Sequence, residues 1–448
     1  MANFQVGYSI INITPPMGID IAGYYVKRNA EGVLDDLQAV AVAFSCGDKK
    51  ALLITVDHCG VVKPILDIYK KAISEKTGIP IDAIIIHSTH THTGPTLLPE
   101  TDDVLINEYK QTLCRKLVDV SCFALADLKP AKMGYGIGNA PNVAFIRRYR
   151  MKDGSIRTNP GVDNPDILEP IGKVDERVSV LRFDRENAES VVLINFANHP
   201  DTVGGNLISG DWPGLTRRVL EKAIDNTKCI VFNGAQGDVN HVNVHPKNGD
   251  FNDMFNDFDG CSRGYGHTRH IARVVAGAVM QVYDKVNYVP VDSIAFIQET
   301  INIPSNKPKP EEMELAHKYN DLHLAGRDDL IPFKAMMLTT VVAEAMRMVR
   351  LENAPDTFPM LLSALRIGPV GFIGIPGEPF SFVGRSLKET EGYDLILPSC
   401  NTNAKEGYFP TREAYLEGGY EARGSNFKEG VAEIIVEEGK RILSKIKE

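Results

Sequence analysis

Residues 84–95, "IIIHSTHTHTGP", hold three of the chain's 11 histidines, His87, His90 and His92, at the end of an apolar run. If the strand predicted by that run continues through them, side chains alternate faces, and His90 and His92 point one way with Thr89 and Thr91 behind them. Two imidazoles on one face, ~6–7 Å apart along a strand, either begin a metal site or serve as hydrogen-bonded structural histidines. HxH alone is too short a pattern to choose between these readings, so the choice rests on where the other chemistry-bearing residues fall.

They fall at the ends of strands. "ALLITVDHCG" (51–60) runs into Asp57 and His58, and "ESVVLINFANHPD" (189–201) into Asn198, His199, Pro200 and Asp201. "CIVFNGAQGDVN" (229–240) passes through Gln236, Gly237, Asp238 and Asn240 to His241, and "PVGFIGIPGEPF" (369–380) reaches Gly377 and Glu378. With the His90–His92 stretch, five apolar strands finish in polar clusters. In open α/β sheets ligands bind outside the carboxyl ends of the strands, so parallel neighbours would bring these clusters to one crevice. Zinc takes imidazole nitrogen and carboxylate oxygen, and a catalytic site keeps a position for water. His90, His199 and Glu378 would make a two-histidine, one-carboxylate set. A metal held there makes its bound water a stronger acid and polarises a carbonyl. Glu378 has a second reading: Pro379 suits a first helical position, where an acid stabilises the helix dipole.

The elements between the strands read as helices. "KPILDIYKKAISEKTG" has Pro64 near its start, apolar residues at helical spacing and Gly78 to end it. Residues 105–127, the stretch opened by Asp211 as N-cap, residues 267–286, most of 311–350 and 431–446 are also predicted helical. Continuous apolar strands separated by helices imply an α/β fold: a mixed, largely parallel buried β-sheet flanked by helices, with the active site at the C-terminal ends of the strands. No repeat or long linker divides residues 1–448, and "SNKPKPEE" (305–312) reads as a connection within one domain.

The 448 residues are 43% hydrophobic, ample for a large core, and 49 basic against 58 acidic residues give a net charge of −9 without a block of either sign. That excludes a nucleic-acid partner, which needs a concentrated basic face. No run of ~18 apolar residues predicts a transmembrane segment. The start, "MANFQVGYSIINITPP", lacks the pattern of a secretory signal, and the 7 dispersed cysteines form no CxxC. A cytoplasmic location with reduced thiols is the expectation.

Taken together, these segments carry a family likeness. "STHTHTGP" resembles the THTHSGP segment of the neutral/alkaline (non-lysosomal) ceramidases, and "FANHPD" sits where that family has a strand ending in its second zinc histidine. "GAQGDVN" is similar to the family's NxGDVSPN motif, "GIPGEPFSFVGRSLKE" to PGEFTTMAGRRL, and "GYFPTREAYLEGGYEA" (407–422) to YxxTxEEYxxxxYE. The opening "VGYSIINITPPMGIDIAGY" also resembles that family's start. The matches recur in order from near residue 6 to near residue 422.

That family consists of zinc-dependent amide hydrolases that cleave the N-acyl bond of ceramide. The resemblance implies zinc held by His90, His199, Glu378 and Tyr408. It implies Tyr420 as a hydrogen-bonder to a developing oxyanion, His92 as a proton shuttle or substrate hydrogen-bonder, and Arg147 as a substrate-holding residue. "FIRRYR" offers Arg148 and Arg150 beside Arg147. Tyr408 read without the resemblance is a half-buried aromatic with a wet hydroxyl. An N/O donor set also admits manganese, iron or cobalt.

Two departures from the family shape the expectation. Asn240 and His241 stand where the motif has serine and proline. An asparagine amide is no activated nucleophile, although it can donate a hydrogen bond to an oxyanion. The chemistry is therefore expected to run through metal-activated water attacking an amide, with Asp238 and His241 available as acid–base partners; His241 reads equally as a hydrogen-bonded loop residue. The chain also ends soon after the last motif, so the family's C-terminal β-sandwich is expected to be absent and the substrate to be a smaller or more soluble N-acyl amide. The alternatives are a hydrolase of an ester, lactone or other polar metabolite, or a catalytically degenerate small-ligand binder.

Among other residues, His267 and His270 share a helix face as an ordinary pair or a metal pair. Cys59 beside His58 is a Cys/His pair that a strand would turn to opposite faces. Asp57, Asp201 and Asp211 are available to hold the second nitrogen of a ligating histidine. The sequence carries no signal for oligomeric state.

Overall fold

The computed structural model describes residues 4–250 and 253–447. A nine-stranded sheet is ordered Thr227–Asn233, Ser190–Phe196, Arg177–Arg185, Lys129–Asn139, Gln5–Asn12, Gln38–Cys46, Lys49–Val56, Ile84–Ser88, with Asn287–Val289 also paired to Lys129–Asn139. A second sheet is ordered Ile294–Pro304, Thr357–Ile367, Val370–Gly374, Leu395–Ser399. Leu365, Ile367, Val370 and Phe372 of the second sheet join Val40, Leu52, Ile54 and Phe232 of the first in one buried cluster. Helices Lys63–Thr77 and Val104–Ala126 pack together, the latter on Gln5–Asn12 and Gln38–Cys46, while Asp211–Ala223 and Tyr265–Val282 pack together over the strands near Thr227–Asn233. Val431–Lys445 and Ser381–Lys388 pack on each other beside the second sheet. No helix among the described residues is long and apolar enough to cross a membrane.

Helix ends follow their local chemistry. Pro64 starts Lys63–Thr77, and Gly78, at φ 74, ends it with its N–H on the Ser74 carbonyl. Asp103 accepts from the Ile106 N–H at 3.2 Å and caps Val104–Ala126. The helix that Asp211 was expected to cap instead begins at Asp211, with Gly210 before it. The Asp211 carboxylate reaches back to the Thr202 and Val203 N–H groups at 2.9 and 3.0 Å and fixes the loop after His199. The helical 311–350 region is two helices, Met313–Leu324 and Ala335–Leu351.

The large sheet is mixed and flanked by helices, as expected, but its balance is antiparallel rather than largely parallel. Within the two sheets, Lys49–Val56 with Ile84–Ser88, Ser190–Phe196 with Thr227–Asn233, and Val370–Gly374 with Leu395–Ser399 are the parallel pairs among the described residues. An apolar run reports burial on both faces and says nothing of direction. Gln38–Cys46 and Lys49–Val56, both mostly apolar along their buried lengths, form a hairpin closed at Gly47, at φ 60.

The three parallel pairs position the site, because their carboxyl ends meet. His87, fully buried, accepts from the Asn233 N–H at 3.0 Å through Nε2 and donates through Nδ1 to the Cys400 carbonyl at 2.7 Å. Burial drives its pKa down to about 3, so it stays neutral and keeps both bonds. One side chain thus joins an end of each pair. The Cys400 N–H completes the junction on the Asn233 carbonyl at 3.0 Å. Changing His87→Leu keeps most of the volume and strands the buried Asn233 N–H, while the Cys400 carbonyl keeps the Thr402 hydroxyl at 2.9 Å. The expected loss is about 1–3 kcal/mol in urea unfolding, and no measurable loss would show that the junction does not hold the strand ends.

Candidate metal centre

The Ile84–Ser88 strand stops before His90, so pleating does not align His90 with His92. His90 instead sits at φ 76, a costly left-handed conformation for a side-chain-bearing residue. The turn is pinned on both sides: Thr89 N–H bonds the Val56 carbonyl at 2.9 Å and His90 N–H the His58 carbonyl at 2.8 Å. Thr91 and Thr93 hydroxyls both donate to the Ser209 carbonyl, at 2.6 and 3.1 Å. The turn leaves the Nε2 atoms of His90 and His92 only 3.2 Å apart, about half the strand spacing.

His199 comes from the end of Ser190–Phe196, where Trp212 Nε1 donates to the Asn198 carbonyl at 3.1 Å. Its Nε2 is 3.2 Å from that of His90 and 3.2 Å from that of His92. Glu378 follows Val370–Gly374 and presents Oε2 at 3.3 Å from His90 Nε2 and 3.8 Å from His199 Nε2. Its second reading, a helix N-terminal acid, does not describe it. The helix begins at Ser381, and Asp238 takes that N-terminus through Ser381 N–H at 2.6 Å and Ser381 Oγ at 2.9 Å.

The donor set fits a cation. His90, His199 and Glu378 are all buried, with ligand atoms within 4.8 Å of one another. Glu378 Oε2 has no hydrogen-bond partner among the described residues, and an unmatched carboxylate oxygen in a dry pocket calls for positive charge. The far side of each ring sets the tautomer. His90 Nδ1 lies 2.5 Å from the Cys59 carbonyl and His199 Nδ1 3.5 Å from that of Gln236, which leaves both Nε2 lone pairs facing inward. Burial lowers the pKa of His199 and His92 well below the usual range. Burial also opposes a charge on His90, but Glu378, helped by Cys59, outweighs it and raises His90 to about 10. His90 in turn holds the Glu378 carboxyl well below the usual range against the effect of burial.

Tyr408 bridges to Glu378 through the backbone, in a short parallel pairing. Its ring lies 5.3 Å from the Arg147 guanidinium and 5.5 Å from the Tyr420 ring, and Tyr420 Oη is 3.4 Å from Tyr25 Oη. Burial raises the pKa of both Tyr408 and Tyr420 well above the usual value. Arg147 is fixed by Glu421 at 2.7 Å and by the Gly237 carbonyl at 2.7 Å. Arg148 pairs with Glu417 at 3.2 Å, and Arg150 is more exposed, so Arg147 is the arginine of "FIRRYR" that meets the tyrosines.

The remaining residues stand elsewhere. Both carboxylate oxygens of Asp238 are taken by Ser381, which removes it as an acid–base partner. Asn240 donates one amide proton to Asn159 Oδ1 at 3.1 Å and accepts from Val242 N–H at 3.1 Å. His241 is a buried loop residue on the Ser262 carbonyl at 2.6 Å. His267 and His270 share a helix face with ring centroids 6.0 Å apart and planes tilted by 44°. His58 bonds Tyr109 at 3.0 Å, while Cys59 faces Lys405 Nζ at 3.3 Å and His90 Nδ1 at 3.9 Å rather than His58. Burial would raise the Cys59 thiol, but Lys405 and His90 bring it to about 7. Asp57 serves Gln38 N–H and Thr89; of the three proposed carboxylate partners only Asp201 faces an imidazole, His92 Nδ1 at 3.4 Å. Sequence reasoning did not single out Glu421, Lys405, Tyr25 or Arg263. Glu421 lies inside the quoted "GGYEA" stretch, whereas the others lack any local signal.

No family model matches the chain. It is 23% identical over 268 residues to Neutral ceramidase A of Dictyostelium discoideum, a match that takes in 55% of this chain and 36% of that protein, so the match spans about a third of that relative's length. Among solved structures, the neutral ceramidase from Pseudomonas aeruginosa superposes with a TM-score of 0.73 at 17% identity, over 100% of this chain and 76% of that one. A ceramidase complexed with C2 superposes with a TM-score of 0.71 at 16% identity and the same coverage. The fold is that of the neutral ceramidase structures. The sequence match adds a relationship to that family.

Arg147 and Glu421 form a buried ion pair, and removing one partner leaves an uncompensated charge. Arg147→Met is expected to cost about 3–5 kcal/mol in urea unfolding, and the joint change with Glu421→Gln clearly less. A double variant as unstable as the single one would contradict this reading.

Proposed function

We propose that this chain is a metal-dependent amide hydrolase of the ceramidase type, acting on an N-acyl substrate smaller or more soluble than ceramide. The observation that carries the proposal is the convergence of His90, His199 and Glu378 in a buried space on a ceramidase-like fold. Zinc is the metal proposed, with manganese, iron and cobalt compatible with the same donors. A divalent ion there supplies Lewis acidity toward a water and toward the scissile carbonyl.

The chain's own residues bind and orient. Tyr408, paired through its backbone with Glu378, is proposed as the fourth ligand, while Tyr420 offers an O–H where negative charge develops on the carbonyl oxygen and Arg147 adds a fixed positive charge behind it. His92, 3.2 Å from His199 and backed by Asp201, is the residue proposed to pass a proton to the leaving amine. Asp238 holds the start of the helix after Glu378 and so acts as a positioning residue. Asn240 keeps a second amide proton beyond the one given to Asn159, enough for one hydrogen bond to substrate.

A cavity of about 470 Å³ lies beside Tyr420, lined by none of the proposed metal ligands. Thr158, Asn159, Lys334 and Arg423 line it beside Met336 and Met337. The seven cysteines are all free thiols, which supports a reducing location such as the cytoplasm.

Metal analysis of the purified chain, with a panel of short N-acyl amides, ceramide, esters and lactones, tests the proposal. One transition metal per chain is expected, with amide hydrolysis lost on chelation and restored by the metal. His199→Ala should lower both metal content and kcat/KM, the latter by more than the ~100-fold typical of losing an outer partner. Full amidase activity in chelator, or in the variant, would contradict it, and turnover confined to esters would move the assignment to ester hydrolysis.

A further inference from the structure

We propose that the cavity beside Tyr420 binds an anionic group of the substrate, so that the chain acts on N-acyl amides carrying a negative charge, of which N-acylated amino acids are the simplest class. The proposal names the substrate of the metal-hydrolase reading and rests on it.

The sign of the lining points to an anion. Arg157, Lys334 and Arg423 are its cations, and Asp259 is its one acid. Both Asp259 oxygens are held by buried Arg263, at 2.8 and 2.9 Å, which also clamps Asp201 at 3.0 Å. Asp259 is therefore neutralised from behind and leaves the cations of the cavity unmatched. Exposed Lys334 has no side-chain hydrogen bond or ion pair among the described residues. Arg157 has one long contact, to the exposed Asp153 at 3.4 Å. Arg423 pairs with Glu344 through Nε at 2.9 Å, but its Nη1 faces the Met337 sulfur at 3.8 Å. The first turn of helix Ala335–Leu351 holds neither an acid nor a side-chain cap, and its partial positive end adds to the same field. A chain of net charge −9 thus concentrates positive charge in one concavity. Low-dielectric walls focus such a field onto a ligand of opposite sign.

The cavity also adjoins the residues assigned to the reaction. Tyr420 forms part of its wall. Asn159, in the same wall, accepts from Asn240 at 3.1 Å. Thr158 Oγ1 donates at 2.8 Å to Glu421, the carboxylate that holds Arg147. A charged group held among the cations therefore leaves the rest of the ligand beside Tyr420. Ile156, Met336 and Met337 give the cavity apolar surface as well, suited to a short chain attached to the charge. Ceramide is uncharged and offers these cations nothing to bind.

Two non-hydrolysable ketone analogues of N-octanoylglycine, with methylene in place of the N–H, serve as probes. One keeps the carboxylate, and the other has methyl in its place. Calorimetric titration of the metal-loaded full-length chain should show the carboxylate probe binding at least ~10-fold more tightly than the methyl probe. Joint Lys334→Met and Arg157→Met changes should bring that ratio below ~3-fold, whereas Lys334→Arg should keep it. Equal affinities in the unchanged chain, or no measurable binding of the carboxylate probe, would overturn the proposal. So would a ratio that survives the double variant, which would assign the carboxylate to the metal. Hydrolysis of N-octanoylglycine and uncharged N-octanoylpropylamine with equal efficiency, alongside equal probe affinities, defeats this inference alone. Charge-selective binding that depends on Lys334 and Arg157, with no amide hydrolysed by the metal-loaded chain, supports the anion site and defeats the hydrolase reading.

Discussion

Lone pairs turned toward one another in a dry space repel unless something positive joins them, and the centre of this protein is built around that constraint. Three imidazole Nε2 atoms stand 3.2 Å apart, and the buried Glu378 Oε2 beside two of them has no hydrogen-bond partner among the described residues. Leaving a buried carboxylate oxygen unmatched costs several kcal/mol, so the arrangement persists only with a charge at its middle. Against the effect of burial, Glu378 raises the pKa of His90, the direction expected where positive charge is needed. A divalent cation meets that need for all the donors together.

The rest of the fold holds those donors against their own repulsion. Three parallel strand pairs bring their carboxyl ends together, and His87 ties one strand of each to the others through two buried hydrogen bonds. The left-handed turn at His90 stores strain that the flanking backbone bonds and the Ser209 carbonyl sustain. Antiparallel strands between the parallel pairs serve as frame, and the two sheets share one core beneath the site. The candidate site thus lies just past the strand ends, with Arg147, held by the Gly237 carbonyl and Glu421, beside Tyr408 and Tyr420.

His90, His199 and Glu378 were legible in the sequence because rare, chemically distinctive residues followed apolar runs. The helices at 63–77 and 104–126 were legible because proline, glycine and aspartate mark their ends. Strand direction was not, since an apolar run records burial on both faces, as the hairpin at Gly47 illustrates. The relation of His90 to His92 was misjudged for a related reason: the strand ends at Ser88, and a positive φ at a histidine leaves no trace in composition. Asp238 read as an acid–base group because its sequence neighbours are polar, but its partner, Ser381, lies 143 residues away. The Asp201–Arg263 clamp and the Lys405–Cys59 contact are tertiary in the same sense. Tyr408 and Tyr420 entered only through the family likeness, because a tyrosine near a strand end is otherwise an ordinary packed aromatic.

The central claim is that one cation belongs among these donors. Anomalous diffraction from crystals of the metal-loaded protein, collected on both sides of the metal's absorption edge, tests it most directly. The account predicts a single strong peak within bonding distance of His90 Nε2, His199 Nε2 and Glu378 Oε2. A metal-replete crystal with no peak there, or with its peak elsewhere in the fold, would contradict it.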